Sequence, residues 1–445
     1  MILQMSDFIK NLKTPIAIIG MGRSGEAAKR LLLAAGIPAH CILTYDGKAS
    51  GVDFQNPEKL IAEIAPKTLV VSPGVPLGSR WIKDAQAGGV FITSELSLAC
   101  STFEQERVLG VTGALGKSTT VSILEAGLKA FCSSYFVGGN LGIPLSSYAS
   151  DVLENKRRRA DWVVLEISSY QLENCENLNL EFSAITYLTS NHLERYDSLT
   201  HYYETKWSIL GKTRRALFLN KNGGDIEDFF VKKAETSNVF FVTPKDSDLG
   251  PFSLKDALLI GEHNQDNLAL AARMALSAGW PKDFVAGMKT FSGLEHRLEN
   301  LGEVCGVRFI NDSKATALDS VITAASAAAK GMAQNQRLHL LLGGRDKNLP
   351  WEELTTLARN NLLQFVFFGE CREVAQKKSK LPGEQFLSLG DALRHILSRV
   401  KPGDTVLLSP GGTSLDEFKS FEDRGSFFKF EIQKYKDQLL KSQNR

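Results

Sequence analysis

A chain of 445 residues is too long for one ordinary hydrophobic core, so two or three domains are expected. Its formal net charge of +2 gives no electrostatic case for nucleic acid or a polybasic membrane contact. No apolar run approaches the ~20 residues that span a bilayer, the opening MILQMSDFIKNLK lacks the apolar core of a signal peptide, and six scattered cysteines without a CxxC pair suit a reducing cytoplasm and argue against a zinc site or disulfide framework.

Short apolar runs alternate with helical stretches throughout. The expected class is therefore α/β, with each domain on a mainly parallel sheet. Three nucleotide-fold-like starts stand out: Ile16 to Gly20, Val108 to Gly113, and the set Leu338–Leu342, Phe365–Phe368 and Val406–Leu408. They divide the chain into 1–102, 103–297 and 298–445.

The first start, IAIIGMGRSG, gives Gly20-x-Gly22-x-x-Gly25 after a strand, and Asp46 ends the next apolar run. That is the dinucleotide fingerprint, so a hydride-transferring enzyme is one reading. Any diphosphate can sit on such a turn, and a nucleotide-sugar diphosphate would place Asp46 near a ribose or base edge. A tight turn without a ligand is a third reading.

The second start runs into GVTGALGKST, residues 110 to 119, and says most about function. A strand, a glycine loop and a helix start make a phosphate cradle. Backbone N–H groups point at the anion, Lys117 reaches the terminal phosphates, and the Ser118 hydroxyl can bind Mg²⁺. The spacing is a variant: Gly113 lies three residues before Gly116, and Gly110 six before it. The following helix carries Val121, Leu124 and Leu128 on one face.

Next, WVVL (162 to 165) reads as a buried strand ending in Glu166. An acid at a strand's carboxyl end beside a phosphate loop is placed to hold Mg²⁺, or to cap the next helix. Ser168 and Ser169 follow with hydroxyls. His192 follows a further strand, with Lys206 fourteen residues on in a helical segment, and neither says much alone. In GEHNQDNLALAA, Asn264 and Asn267 stand one helical turn apart, suited to a base edge or to ordinary capping.

In GLEHRLE, Arg297 is a fork-shaped donor suited to phosphate. In INDSKAT, Asp312 ends an apolar run where it could accept from ribose hydroxyls, with Lys314 and Thr316 adding a cation and a hydroxyl. A polar turn is the plain alternative. LLLGGRDKN and LLSPGGTSLDEFKSFEDRG are strand-to-loop passages, and doubly wound sheets gather ligands at such ends.

Taken together, GxTGxxGKST, LEISSYQLE, HLERY with its downstream lysine, GEHNxxN, HRLE, NDSKAT and SPGGTSLDEFKSFEDRG resemble the Mur ligases of peptidoglycan synthesis, in that family's order and over almost the whole length. NDSKAT and SLDEFKSFEDRG resemble the D-glutamate-adding branch. The resemblance implies a Rossmann-like domain for the UDP-linked substrate, a central ATP-binding domain and a Rossmann-like domain for the amino acid.

It also implies roles. Gly113, Gly116, Lys117, Ser118 and Thr119 would cradle ATP, with Ser118 and Glu166 on one Mg²⁺. His192 would bind a second Mg²⁺, and Lys206 would carry a CO₂-derived carbamate. Lys117, His192 and Lys206 are the implied catalytic set. Asn264 and Asn267 would lie at adenine, Arg297 at phosphate and Asp312 at ribose.

Arg23, Ser24, Asp46, Ser72, Pro73, Gly74, Asn140 and Ser168 would meet UDP-N-acetylmuramoyl-L-alanine. Lys314, Thr316, Lys347, Ser414, Leu415 and Phe421 would hold D-glutamate. Two places depart from the family pattern: Ala114-Leu115 inside the phosphate loop, and Pro410-Gly411-Gly412 beside the acceptor pocket. The implied partners are these three small molecules, without nucleic acid or membrane insertion, and a monomer is expected.

Three readings of function follow. One is an ATP-dependent ligase, whether this branch, another Mur ligase or a folate polyglutamate ligase. The others are a dehydrogenase on the first glycine turn and a non-catalytic nucleotide-binding switch.

Overall fold

The computed structural model describes residues 7–140, 142–189, 195–230, 238–244, 258–259 and 261–443. Among the described residues, sixteen strands form three sheets. The first holds β1 (Ile16–Ile19), β2 (Ile42–Tyr45), β3 (Thr68–Val71) and β4 (Phe91–Thr93), in the order β2-β1-β3-β4. All its pairs are parallel, with Ile16 opposite both Ile42 and Thr68.

The second sheet holds β5 (Arg107–Thr112), β6 (Tyr135–Gly139), β7 (Trp162–Glu166), β8 (Leu180–Ile185), β9 (Thr213–Asn220) and β10 (Val239–Val242). Its order is β10-β9-β8-β5-β7-β6, again all parallel. Near-continuous apolar runs suit strands covered on both faces. Every residue of β7 and of β8 is buried. The helix Lys117–Phe131 turns Val121, Leu124 and Leu128 inward, each fully buried, as the spacing predicts.

The third sheet holds β11 (Glu299–Val304), β12 (Val307–Asn311), β13 (Leu338–Gly343), β14 (Leu363–Phe368), β15 (Gly383–Phe386) and β16 (Thr405–Gly411). Its order is β11-β12-β16-β13-β14-β15. Only β11 and β12 pair antiparallel, through the tight turn Cys305-Gly306. The last strand, β16, inserts between β12 and β13, so three carboxyl ends lie side by side at a change of strand order.

Packing divides the chain into two units: Met1–Leu254 with Asp266–Met288, and Lys255–Gln265 with Lys289–Arg445. The first unit takes in the first two sheets, because one core runs across both. Leu31 and Leu98 pack into the same cluster as Leu145 and Tyr148. Among the described residues, no helix is long and apolar enough to cross a membrane.

Candidate functional site

The loop after β5 is held by the segment that follows β8. The Ala114 N–H donates to the Tyr187 carbonyl at 2.7 Å, and the Thr186 hydroxyl donates to the Leu115 carbonyl. Gly113 has φ +150°, and a Cβ there would stand 2.1 Å from Thr186 Oγ1, so no larger residue fits. Leu115 is 57% exposed. The Ala114-Leu115 departure thus removes polar side chains and keeps the backbone path.

Both lysines of interest reach this loop. Lys117 Nζ donates to the carbonyls of Gly113 (2.9 Å) and Ala114 (3.1 Å). Lys206 Nζ donates to the same Gly113 carbonyl at 2.9 Å. Lys206 is 2% exposed, and burial first, then the charge of Lys117, hold its pKa well below the usual lysine range. Burial of this kind favours the neutral, nucleophilic form of the amine.

Glu166, at the end of β7, joins two regions. Ser118 Oγ donates to its Oε2 at 2.7 Å, and Asn140 Nδ2 donates to its Oε1 at 2.6 Å. Hydroxyl and carboxylate oxygens in contact suit a hard divalent cation such as Mg²⁺, which takes one or two carboxylates plus phosphate oxygens and water. Among the described residues, no group of three or more His, Cys, Asp or Glu is able to hold a metal. His192, the implied second metal ligand, lies outside the described residues. Thr119 stands in the first turn of the helix after the loop.

Asn264 and Asn267 share the helix Glu262–Ser277, one turn apart. Asn267 packs on the phosphate loop: its Oδ1 accepts from Thr120 Oγ1 at 3.3 Å, and a Cβ on Gly116 would stand 2.6 Å from it.

Seven of the eight residues implied for the UDP-linked substrate line one cleft of about 390 Å³: Arg23, Ser24, Asp46, Ser72, Pro73, Gly74 and Asn140. The eighth, Ser168, caps the short helix Ser169–Leu172 through Gln171, which itself lines the cleft. Asp46 lines this cleft and also ties down the turn beside it. Its Oδ2 accepts from the Met21 N–H and its Oδ1 from those of Lys48 and Ala49. These bonds, that of Met21 foremost, lower its pKa. These three backbone bonds brace the glycine turn, and the carboxylate, which accepts about four hydrogen bonds, keeps capacity toward the cleft it lines.

In the second unit, Asp312 lies beyond β12, with Ser409 Oγ donating to Oδ2 at 2.7 Å and the Leu298 N–H to Oδ1 at 3.1 Å. Burial pushes its carboxyl up to about 7. Arg297 is exposed on a turn whose neighbours His296 and Leu298 both have left-handed φ, +64° and +42°. Such outliers cluster where a fold holds a functional group in place.

Lys314 Nζ stands 5.1 Å over the Phe421 ring, joining two of the residues implied for D-glutamate. The loops of Lys347 and Ser414 are tied by reciprocal backbone bonds between Arg345 and Thr413, at 2.7 and 3.0 Å. Ser414 is 3% exposed, whereas Lys347, Thr316 and Leu415 are exposed.

Arg424 was not legible as a functional residue, since its charge in FEDRG reads as surface. It is fully buried: Nε donates to Ser313 Oγ, Nη2 to the Ser313 carbonyl and Nη1 to the Gly412 carbonyl. It clamps the loops after β12 and β16 together. Nothing in a run of mixed charges separates such a clamp from a solvated face.

Residues 111–248 match the family described as Mur ligase middle domain, and residues 296–412 the one described as Mur ligase, glutamate ligase domain. The chain is 32% identical to UDP-N-acetylmuramoylalanine--D-glutamate ligase of Myxococcus xanthus, over 93% of this chain and 97% of that protein. It is 31% identical to the protein of the same name from Salmonella typhimurium, over 93% and 96%. Among solved structures it is similar to a MurF ligase from Thermotoga maritima in complex with ADP (TM-score 0.56, 17% identity, 88% of this chain and 95% of that one). A second is UDP-N-acetylmuramate-alanine ligase from the same organism (TM-score 0.55, 16% identity, 95% and 100%). At these identities the two structures speak to the fold.

Proposed function

The chain belongs to the Mur ligase family, and on that footing we propose that it joins D-glutamate to UDP-N-acetylmuramoyl-L-alanine, converting ATP to ADP and phosphate in cytoplasmic peptidoglycan precursor synthesis. The observation that carries this reading is the chain of contacts Ser118–Glu166–Asn140, which runs from the phosphate loop to the cleft. It lets a substrate carboxylate in the cleft meet the γ-phosphate of a nucleotide on the loop.

A carboxylate is a poor electrophile and must be activated before an amine attacks it. One oxygen of the L-alanine carboxylate attacks the γ-phosphorus, ADP leaves, and an acyl phosphate forms. The D-glutamate amine then attacks the acyl carbon, loses a proton, and the tetrahedral intermediate expels phosphate. Little covalent work falls to the protein, which positions groups and offsets charge. Lys117 exchanges its carbonyl contacts for the terminal phosphates. Ser118 and Glu166 would hold one Mg²⁺, which supplies charge neutralisation at the transferring phosphoryl group. His192 is proposed for a second.

Lys206 is proposed to carry a carbamate, formed when its neutral amine adds CO₂ and releases a proton. Its burial and low pKa support this. Asn264 and Asn267 are proposed for the adenine side, Arg297 for phosphate and Asp312 for ribose. Lys314, Thr316, Lys347, Ser414, Leu415 and Phe421 are proposed for D-glutamate. Residues 1–102, 103–297 and 298–445 would serve UDP-substrate, ATP and amino acid in turn, in a monomer.

Phosphate release at saturating ATP and UDP-N-acetylmuramoyl-L-alanine, with D-glutamate, L-glutamate, D-alanine or L-lysine, tests the reading. A site built to pair a second carboxylate rejects acceptors lacking it, because its cations would be left unpaired. D-glutamate is expected to exceed the others. Equal turnover with D-alanine or L-lysine would place the chain in another branch.

A further inference from the structure

Arg195 has no role above, yet its guanidinium touches two walls of the first unit. The side chain is 10% exposed. Nη1 donates to the Pro73 carbonyl at 2.8 Å and Nη2 to the Val75 carbonyl at 3.3 Å. Nη2 also pairs with Glu173 Oε2 at 2.8 Å, and the guanidinium carbon lies 4.1 Å from the centre of the Tyr170 ring. With both amino groups aimed at protein oxygens and its charge answered by Glu173, Arg195 is not presented as a ligand for an anion. A planar fork is instead suited to fixing several acceptors at once.

What it fixes is the turn after β3. The Val75 N–H closes that turn onto the Ser72 carbonyl at 2.9 Å. Ser72, Pro73, Gly74 and Val75 all line the 390 Å³ cleft. A Cβ on Gly74 would meet nothing within 4 Å, so this residue faces open space. Holding the Pro73 carbonyl toward Arg195 turns the Gly74 N–H the opposite way, because the peptide unit is planar and trans.

We propose that Arg195 is a positioning residue for the nucleotide-sugar pocket. It holds the 72–75 turn so that the Gly74 N–H meets an anionic oxygen of a nucleoside diphosphate. This rests on the proposed function, in that the cleft takes the UDP-linked substrate. It adds a residue that acts through the pocket wall without touching the ligand.

The test uses the full chain as wild type, Arg195→Ala, Arg195→Lys and Glu173→Gln. UDP binding is measured by calorimetry, and KM for UDP-N-acetylmuramoyl-L-alanine and for ATP by phosphate release. Arg195→Ala is expected to weaken UDP binding and raise the nucleotide-sugar KM roughly tenfold, the worth of one well-made hydrogen bond. Its kcat and ATP KM should stay within about twofold, which a general loss of fold would not allow. Arg195→Lys keeps the ion pair and loses the fork, so its KM should stay raised. Glu173→Gln keeps an acceptor and should bind UDP like wild type.

Wild-type UDP affinity in a folded Arg195→Ala, or in Arg195→Lys where alanine fails to fold, would overturn the proposal. So would a parallel rise in ATP KM. Calorimetry with UDP needs no turnover. A wild type that binds UDP but shows no D-glutamate dependence therefore strikes the proposed function alone.

Discussion

Two lysines lean on one carbonyl, that of Gly113, and their fates differ. Lys117 is half-buried at the start of its helix and acts on charge that develops at phosphate. Lys117→Ala should therefore lower kcat by roughly 10²–10⁴-fold, the scale of a key electrostatic group. UDP binding, measured by calorimetry, should hardly change, since Lys117 does not line the cleft. An equal loss of UDP affinity in a folded variant would contradict that division. Lys206 is buried, and that burial lowers its pKa and so favours the neutral amine, the form that adds CO₂. Carbamoylation should appear by ¹³C NMR under labelled CO₂, and a short carboxylic acid should partly restore Lys206→Ala. An unmodified lysine together with no rescue would sink the idea.

Among elements, the helix pair Glu95–Cys100 and Leu145–Leu153 carries a titration. The Glu95 carboxylate is fully buried, accepts from the Ser146 N–H, and is pushed by burial up to about 7. Between the usual value near 4.5 and 7, the folded state holds a proton that the unfolded state has released. Stability must then fall as pH rises through that window. Glu95→Gln keeps the acceptor without the charge. Denaturant unfolding should show the variant gaining on wild type from pH 5 to pH 8, by at most on the order of 3 kcal/mol. Parallel curves would contradict this.

The loop after β16 makes a second case. The Pro410-Gly411-Gly412 departure invites the expectation of a loosened pocket, and the structure gives the opposite reason for glycine. A Cβ on Gly412 would stand 2.6 Å from the Gly343 carbonyl, and Arg424 already holds the Gly412 carbonyl. The residue permits close packing of two loops. Gly412→Ala should raise KM for D-glutamate more than KM for ATP, as read by steady-state assays. A change in ATP KM alone would show that this loop serves the nucleotide instead.

At the scale of the whole molecule, the sheets were legible because buried parallel strands are short apolar runs ending in glycine or acid. β1, β5, β7, β13, β14 and β16 fall where those runs predict. The antiparallel β11 was not, since Glu299–Val304 is half polar and carries no such run. The phosphate loop and the cleft residues were legible through glycine spacing and family resemblance. The turn-bracing bonds of Asp46 and the clamp made by Arg424 were not, because backbone partners and the burial of a guanidinium leave no mark in the local sequence.

The chemistry itself is open to a direct test. UDP-N-acetylmuramoyl-L-alanine labelled with ¹⁸O in its carboxylate is turned over with ATP and D-glutamate, and the released phosphate is analysed by mass spectrometry. Activation through an acyl phosphate moves one labelled oxygen into phosphate per amide formed, and only when D-glutamate is present. Unlabelled phosphate, or phosphate released at the same rate without D-glutamate, would contradict ligation by this chain.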